Sequence, residues 1–453
     1  MVTIPVLILT EAEDRLISSA VASAKAVAAD QIAAMGVDPS VGDMLPDGIR
    51  LDDTFAAVPM GQGRSTPESL KMMATLDDEQ FLVRGFIDSD QVGALAEHPG
   101  DGPRVFVDAQ VGAMPICPGD PPLGNAADVR GLLNVGALSS RGLSGDGVAV
   151  AIVDTGINLR HLGRRGLSAR LDPHIFWTPT PGVDPGGYPV GHGTMCAYCA
   201  SITAPECTLL DFPVLNSTTQ GGSRMDGFLS DAIKAYNVLL GMMRKPEAER
   251  PYHSLVVNNS WGMPHESFDF PPGHSGRYGD NPDHPFNQVV GSLAQAGADI
   301  LFAAGNCGTD CPDRRCGGVT TNVINGANSH PDVLSIAGVD VTKVRVGYSS
   351  KGPGKPQLAE EKPDLAAYTH FNGSEAYGAG KPDSGTSAAC PVAAGCIASV
   401  RTKFPPSAVS PPDMFDAARS TADGLGRVGW NDEVGYGIIN PSSLADRVMA
   451  PSV

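Results

Sequence analysis

The sequence predicts an α/β protein whose mostly parallel sheet is covered by helices on both faces, preceded by a small α+β domain. Across residues 125–453, short apolar runs of strand length such as Gly147 to Val153, Leu209 to Leu215 and Ile300 to Ala304 alternate with helical stretches. Continuous runs suit strands buried on both faces, and strand–helix alternation builds a parallel sheet. Residues 1–111 instead follow the order strand, helix, strand, strand, helix, strand. The composition, 42% hydrophobic and 18% charged with 54 Gly and 38 Pro, is that of compact elements joined by tight turns and not of a disordered chain.

In order along the chain, Thr3 to Thr10 is the first strand, followed by an Ala-rich helix from Glu11 to about Met35 that Gly36 stops. Thr54 to Met60 is a weaker strand, Pro67 to Ala74 a short helix, and Gln80 to Ile87 a strand. Asp88 or Ser89 caps a helix ending near Gly100, and Arg104 to Asp108 is the last strand. This βαββαβ order is the split-βαβ, ferredoxin-like arrangement. Residues 112–124, with Pro115, Pro118, Pro121 and Pro122, read as an extended linker, which divides the chain into domains 1–111 and 125–453.

In the second domain, the run ending at Val153 leads into Asp154-Thr155-Gly156, a carboxylate at the strand end where α/β proteins build sites. Gly191-His192-Gly193-Thr194 opens a helix, and a histidine between glycines has little cover and can face a cleft as a general base. Asp226 to Met242 reads as one long helix, and Leu255 to Gly262 as a strand opening into a loop. Asn306, after Ile300 to Gly305, can offer its amide N–H to a developing oxyanion. Val333 to Val339 and Val344 to Tyr348 read as strands, Ser349 to Pro353 and Lys362 to Ala367 as surface turns, and Gly435 to Asn440 as a final strand and turn. Gly385-Thr386-Ser387-Ala388-Ala389-Cys390-Pro391 places a serine among small residues at a helix start, where unpaired backbone N–H groups gather.

Single motifs have ordinary structural explanations, but four together do not. Asp154, His192, Asn306 and Ser387 make the set needed for nucleophilic acyl transfer. In these motifs and their order the chain resembles the subtilisin-like serine peptidases. The resemblance implies a subtilisin-like sheet, a catalytic triad of Asp154, His192 and Ser387, and Asn306 in the oxyanion hole. It also implies that Ser260, Trp261 and Gly262, with Ala303, Ala304 and Gly305, bind the substrate main chain and wall the first specificity pocket. The N-terminal domain looks like the family's inhibitory prodomain, with the linker as the tail that occupies the cleft. The expectation is a monomeric serine endopeptidase made as a self-inhibited precursor, acting on protein or peptide substrates with its prodomain as an intramolecular partner. The alternatives are a catalytically silent peptide-binding scaffold and a peptidase regulated through its Cys-rich loop.

Asp310 and Asp313, on the insertion after Asn306, would favour basic substrate side chains only if they reached the pocket; a solvated loop is the simpler reading. Cys307, Cys311 and Cys316 on the same insertion invite zinc or a disulfide. No paired CxxC or nearby His completes a zinc site, so a disulfide or free thiols are preferred, and no cofactor or metal is expected. Cys196 and Cys199 read as small core residues. The loop that binds calcium in many relatives is absent after His192, so no strong calcium site is expected there.

The net charge of −18 and the lack of any Lys/Arg run argue against nucleic acid or anionic membrane as partners. No apolar run approaches the roughly 20 residues that span a bilayer. No basic residue precedes Thr3 to Thr10, and acidic residues follow at once, so this stretch reads as a folded strand and not as a signal peptide. Nine cysteines, an odd number, fit a reducing compartment better than a complete disulfide framework, which favours the cytoplasm.

Overall fold

A computed structural model describes residues 3–11, 13–25, 36–60, 80–95, 103–112, 121–180, 182–216, 225–310, 312 and 314–449. The N-terminal unit contains β1 (Thr3–Glu11), α1 (Asp14–Lys25), β2 (Arg50–Leu51), β3 (Val58–Pro59), β4 (Gln80–Asp88), α2 (Val92–Leu95) and β5 (Arg104–Val107). Its antiparallel sheet runs β5-β1-β4-β2, with β3 also on β4. β1 and β2 are therefore parallel with β4 between them, the split-βαβ relationship expected from the sequence. The strand expected over Thr54 to Met60 shrinks to Val58–Pro59, because the Thr54 and Phe55 amides are taken up in a turn on Asp52. The second half of the expected first helix, the expected helix over Pro67 to Ala74 and the end near Gly100 lie outside the described residues.

The larger unit follows β6 (Gln110–Gly112): α3 (Ala126–Leu132), α4 (Val135–Ser140), β7 (Val148–Val153), α5 (Leu159–Arg164), β8 (Arg170–Leu171), α6 (His192–Ala200), β9 (Thr208–Phe212) and β10 (Asp226–Phe228). Then come α7 (Leu229–Met243), β11 (Ser254–Asn259), α8 (Pro285–Gln295), β12 (Asp299–Ala303), β13 (Leu334–Val339), β14 (Leu365–Tyr368), α9 (Thr386–Arg401), α10 (Pro411–Ser420) and α11 (Pro441–Met449). Seven strands form a parallel sheet in the order β14-β13-β12-β11-β7-β9-β8.

β7 shows why continuous apolar runs were the right signal. Ala149, Ala151 and Val153 pack toward α7 and α8, while Val148, Val150 and Ile152 pack toward α6 and α9. Both faces are buried, so neither set can be polar. The first of these cores continues into the N-terminal sheet, which contributes Val6, Ile8, Phe81 and Phe106. At the far end of α9, Arg401 forms a fully buried fork with Asp299 at 2.6 Å.

Four local expectations are corrected. The helix expected over Asp226 to Met242 begins only at Leu229, and Asp226–Phe228 is a strand paired antiparallel with β6. Val344 to Tyr348 is a loop joined to β13 by a single bridge, Val339 to Arg345. Lys362 to Ala367 is no surface turn: Leu365–Tyr368 is an edge strand, and Lys362 is buried against Asp364 at 2.8 Å. Ser349 and Ser350 are likewise buried, because their hydroxyls receive the Gly338 and Cys307 amides.

Candidate active site

The four sequence-predicted residues converge where β7, β12, α6 and α9 end or begin. Asp154 follows β7 and is fully buried. His192 is the first residue of α6, and its Nδ1 lies 2.8 and 2.9 Å from the two Asp154 carboxylate oxygens. The flanking motif residues hold this geometry. The Gly193 amide donates to Thr155 Oγ1 at 2.9 Å, and the Asn158 amide donates to Thr194 Oγ1 at 3.0 Å. A side chain at Gly193 would strike the Gly156 carbonyl at 2.6 Å, so only glycine lets the helix start close on the strand end.

Ser387 sits in the first turn of α9. Its hydroxyl donates to the Ser260 carbonyl at 3.2 Å. His192 Nε2 is buried and has no hydrogen-bond partner among the described residues. The histidine is thus oriented by Asp154 with its second nitrogen uncommitted, while the serine hydroxyl rests on the adjoining strand. Asn306 Oδ1 accepts from the Thr386 amide at 2.9 Å and from Thr386 Oγ1 at 3.1 Å. Those bonds fix which way the amide faces, with its nitrogen on the side of Gly385.

Cys196 lies one turn after His192 on the same face of α6, and its Sγ is 3.7 Å from Asp154 Oδ2, 3.9 Å from His192 Nδ1 and 3.5 Å from the Ser387 carbonyl. Burial, with Asp154 adding to it, pushes the Cys196 thiol well above its ordinary range, so it is a protonated donor and not a thiolate. Nearby, burial pushes the Asp211 carboxyl up to about 7 despite bonds from the Gly186 and Ile157 amides. Sequence reasoning placed Cys196 in the core, but the i, i+4 spacing from His192 was the signal for its contact with the triad.

The residues expected to bind the substrate main chain lie at the ends of two neighbouring strands. Ser260, Trp261 and Gly262 follow β11, Ala303 ends β12, and Ala304 and Gly305 follow it. Asn328, which sequence reasoning did not single out, ties them together by donating to the Trp261 carbonyl at 2.9 Å and the Ala303 carbonyl at 2.8 Å. The Trp261 indole is buried and donates to the Val153 carbonyl at 2.8 Å. Asp310 is exposed and pairs with Arg345 at 3.3 Å. Asp313 and Cys311 lie outside the described residues, whereas Cys307 and Cys316 form a disulfide.

The family model described as the subtilase family, Peptidase S8, matches residues 145–437. The chain belongs to the subtilase family. Among curated subtilases, it is 26% identical over 347 residues to rat (Rattus norvegicus) proprotein convertase subtilisin/kexin type 4, covering 71% of this chain and 46% of that protein. It is 27% identical over 276 residues to human (Homo sapiens) membrane-bound transcription factor site-1 protease, covering 58% of this chain and 22% of that one. With human furin the identity is 26% over 282 residues, covering 59% and 31%. The chain thus spans less than half the length of these relatives.

Proposed function

We propose that the protein is a serine endopeptidase, made with its own N-terminal unit seated in the substrate cleft. The observation that carries the catalytic part is the Asp154–His192 contact at 2.8 Å beside Ser387. On substrate binding, Ser387 Oγ leaves the Ser260 carbonyl and gives its proton to His192 Nε2 as it attacks the peptide carbonyl. Asp154 holds the imidazole tautomer and stabilises the imidazolium. Asn306 and the Ser387 amide receive the oxyanion, and His192 then protonates the leaving amine. An extended peptide adds as a strand to the edges at Ser260 to Gly262 and β10, gaining affinity from main-chain hydrogen bonds.

Self-inhibition is supported by β6. It pairs antiparallel with β10, and Gly112 exchanges hydrogen bonds with Gly262 at 3.2 and 3.4 Å. The end of the N-terminal unit therefore lies between two edges that a substrate strand would use. The unit is anchored by Asp108, whose carboxyl oxygen receives the Ser230 amide at 2.9 Å at the start of α7, and by Arg84, 3.7 Å from Asp231. His284 adds a bond of 2.9 Å to the Val107 carbonyl.

Intact mass of the purified protein beside Ser387→Ala, with fluorophosphonate labelling, tests both parts. A shortened wild type and a full-length variant are expected, with the label on Ser387. No label, even after removal of residues 1 to about 120, would defeat the peptidase reading.

A further inference from the structure

The Cys307–Cys316 disulfide closes a loop directly after Asn306, and the proposed reaction makes no use of that loop. The loop carries Arg315 to β10, where one guanidinium nitrogen lies 3.4 Å from Asp226 Oδ1. The pair stands beside Gly112. A Cβ there would lie 2.6 Å from Asp226 Oδ1, 3.0 Å from the same Arg315 nitrogen and 3.0 Å from the Met225 carbonyl oxygen. Gly112 is absent from the left-handed glycines, so what excludes other residues is space and not backbone conformation.

The strand cannot back away from this contact. Gly112 is bonded through both its N–H and its carbonyl to Gly262, and Val111 and Gln110 pair with Gly227 and Phe228 on the other side. Admitting a side chain requires the Asp226 carboxylate to swing off and part from Arg315, while the Met225 carbonyl stays fixed in the main chain.

We infer that Asp226 and Arg315 determine specificity: they form a subsite that admits glycine and excludes side chains at the position held by Gly112. The preferred substrates are extended peptides with glycine at that position. The inference rests on the reading that β6 lies where substrate lies.

Cleavage sites in a peptide library, compared between the purified self-processed protein and its Asp226→Ala/Arg315→Ala form, test it. One aligned position is expected to favour Gly over Ala by roughly tenfold in kcat/KM, about 1.4 kcal/mol, and to lose most of that preference in the double variant. The inference is overturned by sites with no glycine position, by a preference for basic residues there, or by a preference that survives the double variant.

Hydrogen exchange at the Gly262 amide gives a readout independent of activity. Gly112→Ala should speed it roughly tenfold in the wild-type background and little in the double variant. Equal acceleration in both backgrounds, or none in either, overturns the subsite. A Ser387 that takes no label while the exchange pattern holds defeats the peptidase reading and not the subsite.

Discussion

Ser260 and Ser387 are bonded reciprocally: Ser260 Oγ donates to the Ser387 carbonyl at 3.0 Å, and Ser387 Oγ donates to the Ser260 carbonyl at 3.2 Å. The first bond exists because of Pro391. Four residues into the helix from Ser387, it lacks the N–H that would take that carbonyl, so the group turns outward to a side chain. Asn258 Nδ2 in turn donates to Ser260 Oγ at 3.0 Å. Ser260 thereby positions the turn that carries the nucleophile.

Ser260→Ala removes that donor from the buried Ser387 carbonyl, which the weak Cys196 thiol donor does not replace. The expected result is a fall of roughly fivefold to tenfold in kcat with KM little changed, the worth of one buried hydrogen bond. A change confined to KM would place Ser260 in substrate binding alone.

Asp154→Asn keeps the shape of the site but presents the wrong hydrogen-bond pattern to His192 Nδ1. A loss of about 10⁴-fold in kcat is expected, with the melting temperature nearly unchanged. Single-turnover hydrolysis measures the first and calorimetry the second. A loss below roughly tenfold is incompatible with the triad assignment.

Cys307→Ser/Cys316→Ser opens the short loop after Asn306. By loop-closure entropy this costs about 2–3 kcal/mol of stability, to be read from denaturant unfolding. Disulfides persist in oxidising compartments. The redox state of this pair in the producing cell therefore tests the cytoplasmic expectation, and an oxidised pair counts against it.

Asp108 makes the hold of the N-terminal unit depend on pH. Burial pushes its carboxyl up to about 7, with Asp231 adding and Arg84 and Ser230 opposing. The docked carboxyl binds its proton more tightly than a solvated one. Its favourable contribution is therefore complete below the ordinary carboxylate range near 4 and is lost as pH rises through 7. Relative to Asp108→Asn, which cannot titrate, docking should weaken between pH 5 and pH 8. Comparing the two forms subtracts Lys234 and His284, whose own values burial lowers to about 7 and about 4. The rate of Ser387 labelling reports it, and a difference that stays flat across this range excludes Asp108 as the titrating group.

Most of the site was legible because each motif answers a local need. A carboxylate ends a buried strand, a histidine and a serine open helices, and glycines clear their approach. The parallel sheet was legible for the same reason, since strands buried on both faces write themselves as unbroken apolar runs. Lys362 to Ala367 was misread because a buried Lys–Asp pair looks polar in sequence, and the charge is completed from far along the chain by Arg419, 2.8 Å from Asp364.

By itself, the sequence determined the α/β fold class with its parallel sheet and the order Asp154, His192, Asn306, Ser387. Only the tertiary structure decided that Asp226–Phe228 is a strand, that Ser387 rests on Ser260, and that Arg315 meets Asp226 over Gly112. The physical reason is range. Helix starts and buried strands are specified by neighbours a few residues away, whereas an edge strand of three residues is defined by a partner more than a hundred residues earlier in the chain.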